Sequence, residues 1–260
     1  MLTKERMLHI MNILENKGFV SVKELTENFN VSRSSVMRDL IELENQGLIH
    51  RERGGASLKS ISSTLTSFNE TSIVVKEQVN SEAKRLICKE ASKSIRDGDC
   101  IYIDSGTTPV YLLDYIGTKR IKLVTPSIYL IRKLPNNFKG DIFLLGGEFS
   151  KSYDTSYGSL TLEMIRQFHF DHAFFSTNGV NLENGEVYVF DFNVGANKQE
   201  IMLRSEVSDL LVDASKFNMK AMSNWANLDQ FHTVYVDSID ERIEIPDNFV
   251  VCTEKENENE

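Results

Sequence analysis

The chain has 260 residues, of which 41% are hydrophobic and 26% charged, and a formal net charge of −9. That length allows one or two domains at roughly 100–200 residues each, and the balance is that of a globular protein able to bury a core without disulfides or metals. No run approaches the roughly 18 apolar residues of a membrane helix. Lys4, Glu5 and Arg6 are not followed by the apolar stretch of a signal peptide, so a cytoplasmic location is expected. Cys88, Cys100 and Cys252 are odd in number, far apart and outside any CxxC or Cys/His pair. This argues against bridges and a zinc site and for a reducing compartment. Neither a metal nor a cofactor is expected.

The acidity is unevenly placed. Residues 1–60 hold nine Lys/Arg against eight Asp/Glu, whereas the remainder holds 20 against 30. Any contact of the first part with a polyanion must therefore come from local clustering and not from bulk charge.

In chain order, residues 3–17 have helical periodicity, with Thr3 as a plausible N-cap, Met7, Ile10, Met11 and Leu14 on one face, and Gly18 as the stop. Phe19–Val20 is a short extended piece. A second helix starts at Ser21, which has capping-box spacing to Glu24 and is followed by the stripe Val22, Leu25 and Phe29. A third starts at Ser32, with Val36, Leu40 and Leu43 inward and Gly47 as its end. Residues 48–55 then read as a strand hairpin with a glycine-rich tip. Three short helices and a hairpin in roughly 55 residues form the pattern of a winged helix-turn-helix, whose third helix enters the major groove by its N-terminal residues. Those exposed positions are Arg33, Ser34, Ser35, Met37 and Arg38. Arginine grips guanine O6/N7, and serine bonds base edges or phosphates. His50, Arg51 and Arg53 at the hairpin are placed for phosphates or the minor groove. A helical dimerisation module with solvated arginines is the competing reading of the same segment.

The domain boundaries read as 1–57 for this unit, 58–75 for a Ser/Thr-dense linker, 76–253 for an α/β domain and 254–260 for a disordered acidic tail. A helix is expected over 76–96. Short apolar strands are expected near 100–103, 121–125, 141–145, 172–176, 209–213 and 233–237, alternating with helices, which implies a mostly parallel sheet covered on both faces.

The loop Asp104-Ser105-Gly106-Thr107-Thr108 follows the first of these strands, with Pro109 at the first helical position and Thr108 as N-cap. Such a loop offers backbone N–H groups and hydroxyls to an anion, and the helix dipole adds favourable partial charge. Asp104 is suited to accept from sugar hydroxyls. An ordinary capped strand-to-helix turn explains the loop equally well. Thr125 and Ser127, Gly146 and Gly147, Gly179, and Asp213 with Lys216 also follow strands, and in parallel sheets the ligand crevice lies outside the carboxyl ends of strands. Lys198, read as opening a helix after Gly195-Ala196-Asn197, is either a phosphate partner at this rim or a solvated surface lysine.

The segment RSSVMRDLIELENQGLIHRERGGA resembles the DNA-binding part of the DeoR family of bacterial regulators, through Val31-Ser32, Val36, Arg38-Asp39-Leu40, Leu43-Glu44, Gly47 and Gly54-Gly55-Ala56. Ser35 stands where that family usually has Thr, and Met37 where it has Arg. The sensor domain of the same family is matched by Asp104 to Thr108, Leu145-Gly146-Gly147, Asp171 with Ala173-Phe174, Gly179-Val180, Lys198 with Met202, and Asp213 to Phe217, so the resemblance runs over roughly residues 3–240. Pro126 replaces the usual Asn, and the arginine usual after the linker phenylalanine is missing beyond Phe68. The resemblance implies a ribose-5-phosphate isomerase-like sensor fold, a phosphorylated sugar effector, double-stranded operator DNA as a partner, a dimer or tetramer, and repression of a sugar-metabolism operon. Two other readings stand beside it. One is a sugar-phosphate isomerase with an added N-terminal domain, with Asp104, Glu148 and Asp213 as candidate acid/base groups. The other is a DNA binder whose pocket has lost its ligand.

Overall fold

The computed structural model describes residues 6–7, 9–11, 13–14, 19–45, 48–52, 54–58, 76–77, 79–151, 153–240 and 243–253. The chain divides into two compact units, Met1–Thr64 and Leu65–Glu260. The expected caps and stops at Thr3, Gly18 and Gly47, the wing residue Arg53, most of the linker and the tail 254–260 lie outside the described residues.

In the first unit residues 6–7, 9–11 and 13–14 are helical. There follow β1 (Phe19–Ser21), α1 (Val22–Phe29), α2 (Arg33–Asn45), β2 (Ile49–Glu52) and β3 (Gly55–Leu58). Ser21 is extended and its hydroxyl accepts from the Glu24 N–H at 3.1 Å, which starts α1. Asn30, in the left-handed region at φ 49°, ends it. Ser32 caps α2 by accepting from the Ser35 N–H at 3.2 Å. The strands form one antiparallel sheet in the order β1-β3-β2. Gly55 is demanded by the close approach to β1, since a Cβ there would lie 2.3 Å from the Val20 carbonyl oxygen. Ile10, Leu14, Val20, Leu25, Val36, Leu40, Leu43 and Ile49 close the core, each stabilising by about 1.5–3 kcal/mol on burial.

The second unit is built on a seven-stranded sheet, parallel throughout, in the order β15-β14-β12-β9-β4-β5-β6. Its strands are β4 (Cys100–Ile103), β5 (Lys122–Thr125), β6 (Asp141–Leu144), β9 (Phe170–Phe175), β12 (Ser205–Leu211), β14 (Thr233–Val236) and β15 (Phe249–Val251). The covering helices are α3 (Ser81–Ala91), α4 (Leu113–Ile116), α5 (Ile128–Lys133), α6 (Ser159–Ile165) and α7 (Phe192–Met202). Alternate residues serve two cores. Ile101, Ile103, Leu123 and Phe174 pack with Ile87, Cys88 and Ala91 of α3 on one face. Tyr102, Val124, Ala173 and Phe175 pack with Val194 and Ile201 of α7 on the other. All three cysteines are free thiols. Among the described residues no helix is long and apolar enough to cross a membrane, and no cluster of His, Cys, Asp and Glu is arranged to hold a metal ion.

The chain enters this sheet at β4, steps outward through β5 and β6, returns to β9 on the other side of β4, and steps outward again. Strand order therefore reverses between β4 and β9, which is where open parallel sheets form a ligand crevice.

Several features differ from the sequence reading. The helix expected over 76–96 is interrupted: 76–77 are helical, Asn80 is left-handed at φ 54°, and α3 runs from Ser81 before a 3-10 turn at Ser92–Ser94. The seventh parallel strand β15 was not anticipated. Neither were two small antiparallel sheets, one of β7 (Glu148–Ser150) with β8 (Thr155–Tyr157), the other ordered β10-β11-β13 from Gly179–Val180, Glu186–Val189 and Ser223–Asn227.

Candidate nucleic-acid interface and anion site

The first turn of α2 is open to solvent. Arg33, Ser34 and Arg38 are exposed and Ser35 is half-buried. The hydroxyls of Ser34 and Ser35 both bond Ser32 Oγ, at 2.8 and 3.0 Å. Arg38 Nε donates to the Ser34 carbonyl at 3.3 Å, which holds the guanidinium along the same turn. His50 is exposed on the hairpin.

Two members of the expected set have other roles. Met37 is half-buried and packs on the core of the unit, because its position falls next to the apolar stripe of α2. Arg51 is bound to Glu44 of α2 through its backbone N–H (3.1 Å) and its Nε (2.5 Å), so it ties the hairpin to the helix. The sequence reading also missed Arg6 and Asp39, a buried bidentate pair that fastens the N-terminal helical segment to α2. The visible signal for it was a charged residue on the helix face between Val36 and Leu40.

In the second unit Asp104 is the first residue beyond β4 and is 1% exposed. One carboxylate oxygen accepts from the Ser176 N–H (2.9 Å), the Ser176 hydroxyl (2.6 Å) and the Lys198 ammonium. Burial alone would raise its pKa, but Lys198 and Ser176 hold the carboxyl below the usual carboxylate range. Lys198 also donates to the Ser176 carbonyl at 3.0 Å and lies over the Trp225 ring. Lys198 does not open a helix. It is the seventh residue of α7, which Asp191 caps, and it is buried at 3% exposure. Its expected position at a helix start failed because the Phe192-Asn193-Val194 run, after the Asp191 cap, already winds the helix.

Gly106 presses on the same group, since a Cβ there would lie 2.0 Å from Ser176 Oγ. Ser105, Gly106 and Thr107 remain half-exposed, and Thr108 is buried. Thr108 stands at the cap position with Pro109 next, but its side chain makes no capping bond, and the helix begins as the 3-10 turn Pro109–Leu112. The expected capped helix is thus a short 3-10 segment leading into α4, with little aligned dipole.

Thr107 Oγ1 instead accepts from the Lys84 ammonium at 3.2 Å. Asp213 follows β12, is buried, and accepts from Asn80 Nδ2 at 2.8 Å and from Ser215. Burial would raise Asp213, but Lys216, Ser215 and Asn80 together lower it below the usual carboxylate range. The structure thus brings Asp104, Thr107, Lys198 and Asp213 to the central carboxyl rim, with Ser176, Lys84 and Asn80 as partners that the sequence reading did not select. Lys84 was legible as a charged residue on the stripe of Ile87, Cys88 and Ala91; Ser176 was legible only as a strand-end hydroxyl.

The other expected residues hold backbone. Thr125 Oγ1 accepts from the Ser127 N–H at 3.2 Å, and Ser127 caps α5 by accepting from the Leu130 N–H at 3.1 Å. The Gly146 carbonyl accepts from Thr161 Oγ1 at 2.7 Å, and Gly147 lies against Thr161 at φ 144°. Gly179 packs on the Met219 carbonyl. An open cleft lined by His169, Asp171, Arg204 and Glu206 lies at the amino ends of β9 and β12, the opposite rim.

Comparison with known proteins agrees with this division. Residues 6–62 match the DeoR-like helix-turn-helix domain and residues 79–238 the DeoR C terminal sensor domain. The chain is similar to the glycerol-3-phosphate regulon repressor of Escherichia coli, at 31% identity over 88% of each chain. It is also similar to the L-fucose operon activator of Haemophilus influenzae, at 29% over 92% of each, and to the lactose phosphotransferase system repressor of Staphylococcus aureus, at 29% over 91% of this chain and 93% of that one. Among solved structures, ribose 5-phosphate isomerase A of Methanocaldococcus jannaschii matches with a TM-score of 0.40 and 16% identity, over 53% of this chain and 55% of that one.

Proposed function

Because this chain belongs to the DeoR family, a DNA-binding repressor of a sugar-related operon with a sugar-phosphate sensor domain, we propose that its effector binds at the carboxyl rim between β4 and β9. The phosphate end lies on the Ser105–Thr108 loop and the hydroxyl end toward Asp104, Ser176 and Lys198. The observation that carries this reading is the buried Asp104–Lys198 pair, bonded to Ser176 at the point where strand order reverses, beside a Ser/Thr loop that Gly106 allows to close on Ser176. Gly146, Gly147, Thr125 and Ser127 support this rim by fixing backbone. Gly179, Asp213 and Lys216 flank it.

Binding without turnover is favoured by the state of Asp104. A general base works best with a pKa near the working pH, whereas this carboxylate is held low by an ammonium and two bonds from Ser176. Operator contact is assigned to Arg33, Ser34, Ser35, Arg38 and His50. Arg51 acts mainly by positioning the hairpin. Two reading heads in a homo-oligomer would meet half-sites about one helical turn apart or a multiple of it.

The test is a thermal-melt panel of sugar phosphates against the same sugars without phosphate. A ligand at 100 times its Kd adds about 2.7 kcal/mol to stability. Stabilisation confined to phosphorylated members is expected. Failure of the entire panel would remove the effector reading and favour a pocket that has lost its ligand.

A further inference from the structure

One edge of the seven-stranded sheet is apolar and open. β6 is the last strand on that side, and all four of its residues are exposed, with Ile142, Phe143 and Leu144 at 44%, 40% and 43%. Strands of a parallel sheet are ordinarily buried on both faces. Ile142 and Leu144 stand on the face of Leu123 and Thr125, and Phe143 on the face of Val124, where its ring meets Phe168 with centroids 5.5 Å apart.

The backbone of β6 is oriented by β5. The N–H groups of Asp141 and Leu145 donate to the Ile121 and Thr125 carbonyls, each at 2.9 Å. Successive residues of a strand alternate in direction, so the N–H and C=O of Ile142 and Leu144 point away from β5. Among the described residues no strand pairs with that side. Such an edge is normally blunted by Lys, Pro or a bulge, whereas β6 reads Asp-Ile-Phe-Leu in unbroken register, with its one charge at the start.

This edge is complementary to itself. Antiparallel pairing centred on Phe143 sets Ile142 opposite the partner's Leu144 and Leu144 opposite the partner's Ile142. Each of these pairs exchanges two backbone hydrogen bonds, and Phe143 meets the partner's Phe143 as a non-hydrogen-bonded pair with Cα atoms about 4.5 Å apart. Of the registers that oppose outward residue to outward residue, this one alone sets apolar against apolar at all three positions. It also brings the exposed Lys139 beside the partner's Glu148, likewise exposed and of opposite charge. The other edge, β15, exposes Val250 and Val251. Glu244 and Asp247 precede it and Glu254 and Glu256 follow it, so antiparallel self-pairing there would set like charges against each other.

We propose that β6 is the two-fold interface between two copies of this chain, paired antiparallel about Phe143 so that the two seven-stranded sheets become one. This rests on the homo-oligomer of the reading above and names the face that makes it. An isologous contact of this kind closes on itself instead of propagating, and it supplies the two-fold symmetry that paired half-sites require.

The experiment is sedimentation of the full chain at micromolar concentration, unmodified and as Phe143→Lys, Phe143→Glu and an equal mixture of the two variants. The unmodified chain is expected at twice the chain mass. Either variant alone should raise the dimer Kd about tenfold or more, since position 143 meets itself and like charges directly opposite are destabilising. The mixture should recover the dimer, because it sets Lys against Glu. Phe143→Cys, the milder change, should crosslink into a covalent dimer under mild oxidation while Ile142→Cys and the unmodified chain do not, because Cα atoms about 4.5 Å apart fall within disulfide reach. A dimer of unchanged affinity in Phe143→Lys would overturn the β6 face and leave the homo-oligomer standing. So would a mixture that stays as weak as its parts, or a Phe143→Cys chain that does not crosslink. An unmodified chain that remains a single copy while bound to operator would sink both the face and the homo-oligomer.

Discussion

Asp209 is the buried acid with the opposite fate to Asp104. It lies in β12 at 1% exposure, its Oδ1 has no hydrogen-bond partner, and the exposed His232 ring lies 3.9 Å from it. Burial raises its pKa from 3.8 to about 6. For an acid whose folded pKa is raised, the folded state binds the proton more tightly, so stability is greatest below the unfolded value and is lost as pH rises through the folded one. A shift of about two units corresponds to ~3 kcal/mol. Asp209→Asn should therefore raise the melting temperature by several degrees at pH 8 and by little at pH 4; an equal gain at both would disprove the electrostatic account. Asp104 has a lowered folded pKa, so its contribution is present above the unfolded value and fades as pH falls through the folded one. Asp104→Asn leaves Lys198 buried without its charge partner, and a cost of about 3–5 kcal/mol is expected in chemical denaturation at pH 7.

At the scale of elements, α2 is held from two sides, by Arg6 through Asp39 and by the hairpin through Arg51 and Glu44. These bonds leave Arg33, Ser34 and Arg38 exposed on its outer face. Arg38→Ala should weaken operator binding by about 1–3 kcal/mol if it reads a base, without changing the melt of the unit. Asp39→Ala should do the reverse at first order, destabilising the unit by about 3–5 kcal/mol through the stranded Arg6 charge. Unchanged affinity in the first, measured by titration of a promoter fragment, would take Arg38 out of the interface.

At the scale of the molecule, the effector acts only through a difference in affinity between states. Linkage then requires the factor by which the effector changes operator affinity to equal the factor by which operator changes effector affinity. Measuring both with one promoter fragment and one sugar phosphate should give the same ratio; two different ratios would mean that the effector acts by some other route. Operator affinity should also fall with salt at a log–log slope of about −0.9 per phosphate neutralised. The near-neutral charge of residues 1–60 leads to the expectation of a shallow slope, set by Arg33, Arg38 and their neighbours.

Local signals were enough for much of this. Caps at Ser21 and Ser32, the stripes of α1 and α2, and apolar runs followed by turn residues fix where helices and parallel strands fall, because they depend on neighbours within a turn or a strand. They also placed Asp104 and the loop to Thr108 at a strand end. Strand order, and with it the crevice between β4 and β9, came only from tertiary packing. So did the partners of each charge: Asp104 meets Ser176 and Lys198 across 72 and 94 residues, and Arg6 meets Asp39 across 33. Whether a lysine ends beside a carboxylate, as Lys198 does, or beside a hydroxyl, as Lys84 does, depends on which segments the fold stacks together, and no local period encodes that.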